Sequence, residues 1–218
     1  MITDERLSTY IESLSWNIPD YLKKVEKSAV TQGVPIIRRQ MQSLLCFILK
    51  ASKPHSILEI GTAVGFSSML MSECISKEAT IDTIEKVPAR IEAAKENFKR
   101  FGLEERINLF EGDALDVLTS LADMGRRYDF VFMDAAKGQY MNFLEVVLKM
   151  LDNGGILITD NVLQDGDVMQ SRYAVVRRNR TIHGRMRKYL HYLTHSDNLD
   201  TIILPVGDGA AVSIYKRV

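Results

Sequence analysis

The 218 residues suffice for one domain with a full hydrophobic core, and 28 Lys plus Arg against 28 Asp plus Glu leave no global charge to mark a polyanionic partner. Met1 to Tyr10 is polar where a secretory leader needs an apolar run, and no stretch of about 18 uninterrupted apolar residues occurs, so a cytoplasmic chain without membrane contact is expected. Cys46 and Cys74 each fall inside an apolar helical pattern and read as buried reduced thiols, with no spacing that suggests a metal knuckle.

Before residue 55, apolar residues recur at intervals of three and four. Leu7, Ile11 and Leu14 form one such set, and Ile37, Met41, Leu44, Leu45, Ile48 and Leu49 another, so residues 1–54 read as an amphipathic helical cap on a single domain spanning 1–218. From Ser56 onward short apolar runs alternate with longer helical patterns. The runs are Ile57 to Ile60, Thr80 to Ile84, Ile107 to Phe110, Phe130 to Met133 and Ile156 to Thr159, the rhythm of a parallel sheet covered on both faces. A long helical stretch from about Ser171 to Thr194 follows. Two last strands, Thr201 to Pro205 and Ala211 to Tyr215, flank Gly207-Asp208-Gly209, a turn tight enough to imply an antiparallel hairpin. The expected fold is α/β: a doubly wound, mostly parallel seven-stranded sheet closed by that C-terminal antiparallel pair.

Ligands of such sheets bind at the carboxyl ends of the strands, and each run here ends in polar residues or glycine. In Leu58-Glu59-Ile60-Gly61-Thr62-Ala63-Val64-Gly65-Phe66-Ser67, two glycines at a strand-to-helix turn let backbone approach a ligand, although a glycine there also serves packing alone. Glu85 ends the next strand, where an acid can accept hydrogen bonds from both hydroxyls of a ribose. Asp113 ends the third, where it can meet an adenine amino group or simply cap the helix beginning at Ala114. With no P-loop lysine and no excess of positive charge at the first turn, a nucleoside without phosphates fits better than a dinucleotide or ATP.

Phe132-Met133-Asp134-Ala135-Ala136-Lys137-Gly138-Gln139-Tyr140 and Ile158-Thr159-Asp160-Asn161-Val162 are the sharpest features. Adjacent strands would bring Asp134, Asp160 and Asn161 to one sheet edge, where two carboxylates and an amide oxygen suit Mg²⁺ or another hard divalent cation such as Mn²⁺ or Ca²⁺. The plainer alternative is a helix cap at Asp134 and a turn at Asp160-Asn161. Lys137, three residues beyond the first acid, is placed to take a hydroxyl proton or orient an oxyanion.

On these residues, together with Gly33-Val34-Pro35-Ile36, Thr159-Asp160-Asn161-Val162-Leu163 and Pro205-Val206-Gly207-Asp208-Gly209, the chain resembles the cation-dependent O-methyltransferases, from about residue 30 to its end. That family includes the catechol and caffeoyl-coenzyme A enzymes, and within it the chain looks most like the branch that methylates tRNA 5-hydroxyuridine at the anticodon wobble position. The resemblance implies a Rossmann-like class I methyltransferase fold, S-adenosyl-L-methionine as donor and a homodimer with the N-terminal helices near its interface. It also implies Asp134, Asp160 and Asn161 as metal ligands, Asp134 and Lys137 as catalytic residues, and Ile37, Glu59, Gly61, Ser67, Glu85, Asp113, Ala114 and Asp134 along the cofactor. One departure is Arg38-Arg39-Gln40-Met41-Gln42, where the plant enzymes carry an acidic loop motif, which argues against borrowing their phenylpropanoid substrates.

Between Arg172 and His191 stand seven basic residues, Arg172, Arg177, Arg178, Arg180, Arg185, Arg187 and Lys188, and no acid. With Arg38 and Arg39 they are the expected contacts to tRNA, because arginine forks onto phosphate and Tyr173, Tyr189 and Tyr192 could stack on unpaired bases. A solvated helix face is the bland alternative for such a run. His183, His191 and His195 read as surface or helix-end residues. Two other functions stay open: a small-molecule catechol or hydroxycinnamoyl-CoA O-methyltransferase, and a non-catalytic RNA-binding protein of the same fold.

Overall fold

The computed structural model describes residues 5–15 and 17–217; Met1 to Asp4 of the polar N-terminal stretch lie outside the described residues. Three helices come first: α1 (Glu5–Ser13), α2 (Asp20–Thr31) and α3 (Arg39–Ser52). Strands and helices then alternate as β1 (Ser56–Ile60), α4 (Phe66–Ser72), β2 (Thr80–Glu85), α5 (Pro88–Arg100), β3 (Ile107–Glu111), α6 (Ala114–Asp123), β4 (Tyr128–Met133), α7 (Tyr140–Met150) and β5 (Leu151–Thr159). The chain ends with α8 (Arg180–His195), β6 (Leu199–Leu204) and β7 (Ala210–Tyr215). Among the described residues no helix is long and apolar enough to cross a membrane.

The seven strands form one sheet in the order β3-β2-β1-β4-β5-β7-β6. β1 to β5 pair in parallel, while β7 inserts between β5 and β6 and pairs antiparallel with both. The expected hairpin is therefore present, and its second strand is the one that joins the sheet.

Successive residues of a strand face opposite sides, so one strand feeds two cores. Ile57, Phe130, Phe132 and Ile158 pack with Leu22, Leu45 and Leu49 of the N-terminal helices on one face. Their neighbours Leu58, Val131, Met133 and Leu157 pack with Leu118, Leu144 and Met186 on the other. Covering on both faces explains why these strands read as continuous apolar runs.

The structure corrects three expectations. The helical stretch expected from Ser171 begins only at Arg180, after a turn at Ser171 and a short 3-10 turn at Arg177–Asn179. Its physical reason is local: Ala174 N–H bonds back to Ser171 O at 2.9 Å, and the Arg180 guanidinium takes the carbonyls of Val175 and Tyr173, both at 3.2 Å, that a helix would have used. Tyr189 is not free to stack on a base, because it is 1% exposed, bonds Thr159 through its hydroxyl at 2.6 Å and meets Tyr140 edge-on. His183, expected at the surface, is buried beneath the same segment with Nε2 3.2 Å from Gln170 O.

Candidate active site

Parallel register builds the site. Ile60 pairs with Met133, and Met133 with Thr159, so the residue after each strand lands beside its neighbour. Those residues are Gly61, Asp134 and Asp160. Asp134 N–H bonds Ile60 O and Asp160 N–H bonds Met133 O, each at 3.0 Å, carrying the ladder one step past the strands and fixing both acids side by side.

Above these ends lies a cavity of about 640 Å³, a size within the usual range for a small-molecule site. Ile37, Gly61, Ser67, Glu85, Asp113 and Ala114 line one part of it, and Asp134, Asp160 and Asn161 another. Lys137 is not among the lining residues, although Ala136 and Gln139 on either side of it are.

In the first part, the acids already have partners. Glu85 accepts from the backbone N–H groups of Ala63 (2.9 Å), Lys86 (2.9 Å) and Val87 (3.0 Å), and Asp113 caps α6 through Leu115 N–H at 3.1 Å and pairs with Lys86 at 3.4 Å. Glu59 departs from the expected role as a cofactor contact. It is fully buried, does not line the cavity, and accepts from the hydroxyls of Ser68 and Thr83. Burial pushes its carboxyl up to about 6, with those hydroxyl bonds working in the opposite direction. The glycines also answer to protein atoms. A Cβ on Gly61, whose φ is +108°, would lie 2.1 Å from the Asp134 carbonyl oxygen, and one on Gly65 would lie 2.5 Å from the Phe98 ring. Ile37 likewise gives its carbonyl to Gln42 Nε2 at 2.9 Å.

In the second part, two acids face each other with less to balance them. Burial pushes the Asp160 carboxyl up to about 7, with the charge of Asp134 adding to it, and burial raises Asp134 as well. Asp160 accepts from Asn161 N–H at 2.6 Å, while Asn161 holds φ +61° and donates its amide to Asp134 at 2.9 Å. Asparagine tolerates that left-handed backbone better than most residues. Turning its amide over exchanges donor for acceptor, so the same position can offer an oxygen. Tyr140 anchors the second acid by donating to Asp160 O at 3.2 Å. Among the described residues no three His, Cys, Asp or Glu side chains cluster as a metal cage. The candidate ligand set is two acids and an amide, an all-oxygen donor set that fits a hard divalent cation, which keeps open positions for water and substrate.

Lys137 sits in a 3-10 turn (Lys137–Gln139) with its amine 3.3 Å from a carboxylate oxygen of Asp208. Asp208 lines the cavity, as do Lys86, Arg90 and Phe143, none of which was assigned a role from sequence. Asp208 had a visible signal, a charged residue inside a Gly-x-Gly hairpin turn, but its partner lies 71 residues away.

The basic residues divide. Arg38 lines the cavity and pairs with Asp165 at 3.2 Å, whereas Arg39 is turned to Glu26 of α2 at 2.9 Å. Arg185 donates to Gly138 O at 2.9 Å, laying α8 against the turn that carries Lys137, and Arg187 donates to Val168 O at 3.4 Å. Arg180 is spent on the carbonyls of the segment that precedes α8. Arg172, Arg177, Arg178 and Lys188 are exposed.

Residues 12–216 match the O-methyltransferase family. The chain belongs to that family. It is 28% identical over 220 residues to a catechol O-methyltransferase of Niastella koreensis, covering 97% of both chains, and 27% identical to a caffeoyl-CoA O-methyltransferase of Stellaria longipes, covering 100% of this chain and 92% of the other. Its fold matches a crystal structure from Staphylococcus aureus with a TM-score of 0.89 at 30% identity, covering 97% and 100% of the two chains. The S-adenosylhomocysteine-bound methyltransferase PaMTH1 of Podospora anserina matches with a TM-score of 0.85 at 29% identity, covering 98% and 95%. The fold is thus that of a class I methyltransferase, and the chain is an S-adenosylmethionine-dependent O-methyltransferase of the catechol and caffeoyl-CoA type.

Proposed function

We propose that this enzyme is divalent-cation-assisted and methylates 5-hydroxyuridine at the wobble position of tRNA, giving 5-methoxyuridine. The observation that carries the cation is the Asp134 and Asp160 pair, buried at neighbouring strand ends with raised carboxyls and an amide beside them. The tRNA acceptor is supported by the acid-free basic run of residues 172–188, which spans the segment before α8 and the first half of that helix and is tied through Arg185 to the Lys137 turn.

In this reading Glu85 accepts from the ribose hydroxyls of the donor, Asp113 and Ala114 border the adenine, and Ser67 borders the methionine end. Asp134, Asp160 and Asn161 would hold a divalent cation, which when bound would supply Lewis-acid stabilisation of the ionised acceptor hydroxyl. Lys137 takes or steers the hydroxyl proton. The oxygen lone pair then attacks the sulfonium methyl in line, the C–S bond breaks onto sulfur, and S-adenosylhomocysteine leaves without a covalent enzyme intermediate. We include in the proposal a homodimer, supported by the exposed apolar residues Leu7, Tyr10, Ile11, Leu14 and Phe47 of the N-terminal region; sedimentation of the purified protein tests it.

The test is methyl transfer from labelled donor to wobble-hydroxylated tRNA and to a catechol side by side, with and without chelator. Turnover of the tRNA, lost on chelation and restored by Mg²⁺, is the expected result. Turnover of the catechol alone would favour the second reading, a small-molecule enzyme, for which the names of the catechol and caffeoyl-CoA relatives speak. Transfer that survives chelation would remove the cation from the scheme.

A further inference from the structure

We propose that Asp208 is a positioning residue for Lys137, holding the lysine amine at the two-acid edge and tying it to the loop that follows Asn161. Its side chain is 8% exposed, and a carboxylate so enclosed must be compensated to be tolerated. Both oxygens are used. Oδ2 stands 3.3 Å from Lys137 Nζ, and Oδ1 accepts from Asp165 N–H.

The turn that carries Asp208 is itself fastened. Leu163 N–H bonds Asp208 O at 3.0 Å and Val162 N–H bonds Gly209 O at 2.9 Å, so the turn lies directly on the segment leaving Asp160 and Asn161. A Cβ on Gly209 would stand 2.3 Å from Leu163 Cγ and 2.7 Å from Leu163 N, a closeness only glycine allows. On the other side Gln40, in α3, accepts from Gly207 N–H at 3.0 Å. A lysine stem is flexible, whereas the turn that carries this carboxylate is held between α3 and the segment that follows β5. Arg185 fixes the backbone of the 3-10 turn at Gly138 O, and Asp208 fixes the amine.

This inference rests on the methyl-transfer reading, and a double-mutant cycle separates the two. Asp208→Asn, Lys137→Ala and their combination are compared on whichever acceptor the wild-type enzyme methylates. Asp208→Asn is expected to lower kcat about 10-fold to 10²-fold, the usual cost of losing a supporting partner, while KM for the donor stays as in wild type. In the Lys137→Ala background the same change should cost less than about 2-fold, because the effect runs through the lysine. Asp208→Glu, which keeps the charge, should recover part of the loss. Equal losses in both backgrounds, an unchanged kcat, or unfolding of both Asp208 variants whether or not Lys137 is present would assign Asp208 to the scaffold and overturn the proposal. Independently of any acceptor, crystals of wild type and Asp208→Asn with S-adenosylhomocysteine should show the amine ordered on Asp208 in the first and displaced in the second. A lysine that keeps its place without the carboxylate also overturns it. Wild-type inactivity on both acceptors would sink the reading of the site, and the crystallographic comparison would still decide this one.

Discussion

The two halves of the strand-end edge treat their carboxylates differently. Beneath the β1 and β2 ends, Glu59 is wholly buried yet its carboxyl rises only to about 6, because hydroxyls of neighbouring side chains bond the charged form. Beyond β4 and β5, Asp160 is slightly less buried, yet burial lifts it to about 7 with the charge of Asp134, one strand away, adding to it. Burial alone would have ranked them the other way. The first half meets most of its carboxylate oxygens with protein donors and presents shape to a ligand, whereas the second sets two buried acids beside each other and presents a demand for positive charge.

The largest expected effect tests that difference directly. Asp160→Ala should lower kcat/KM by about 10³-fold, several kcal/mol of lost cation-borne stabilisation, while S-adenosylhomocysteine affinity measured by calorimetry changes little. Wild-type enzyme stripped by chelator should match it and recover with Mg²⁺, which the variant should not. Activity surviving in Asp160→Ala would mean that the second half makes no demand for a cation and that the two halves are chemically alike.

Gly61→Ala asks whether the halves are mechanically separate. Its Cβ would press on the Asp134 carbonyl across the strand ends, and its φ of +108° is strained for any L side chain. A stability loss of about 1–3 kcal/mol is expected from the backbone alone, read by urea unfolding, with kcat falling as Asp134 is displaced. Gly65→Ala meets the Phe98 ring instead. That variant should raise KM for the donor and spare kcat. Equal kcat losses in the two variants would erase the boundary between the halves.

Much of this edge was legible because strand-terminal acids announce themselves wherever a continuous apolar run stops. Asp134, Asp160 and Asn161 need nothing more than the register to meet, and parallel neighbours supply it. Glu59 misled because its position one residue before the end of β1 turns it under the sheet edge, toward Ser68 and Thr83, a facing that strand length alone decides. Tyr189 and His183 share a helix with exposed arginines, and only the packing of α8 against Thr159 and Gln170 shows which side of it is buried. Asp208 stood in plain view, but a turn acid and a lysine 71 residues apart carry no local sign that they touch.

The exposed basic residues offer a smaller and more graded test, because they lie outside both halves and bear on the acceptor alone. Replacing Arg172, Arg177, Arg178 and Lys188 by alanine should weaken tRNA binding and flatten its salt dependence, by about 0.7–0.9 in the log–log slope for each phosphate that is no longer neutralised. Filter binding across a salt series measures this. A slope equal to wild type would place the tRNA, if bound, on another face.

The smallest effect is thermal and carries its own sign. The folded-state carboxyl of Asp160 lies at about 7, above its ordinary value of 3.8, so between roughly pH 4 and pH 7 the folded protein keeps a proton that the unfolded chain has released. That contribution to stability is present at low pH and is lost as pH rises through about 7. Metal-free protein should therefore lose a few degrees of Tm between pH 5.5 and pH 8 from this site, a shift of the size that about 1 kcal/mol produces in a chain of this length. Asp160→Asn, with nothing to ionise at that position, should flatten the slope. Mg²⁺ binds the ionised pair, so its stabilisation must run oppositely, small at pH 5.5 and largest at pH 8. Calorimetry with and without Mg²⁺ at the two pH values reads both trends, and a Mg²⁺ effect independent of pH would show that the cation does not sit on these acids.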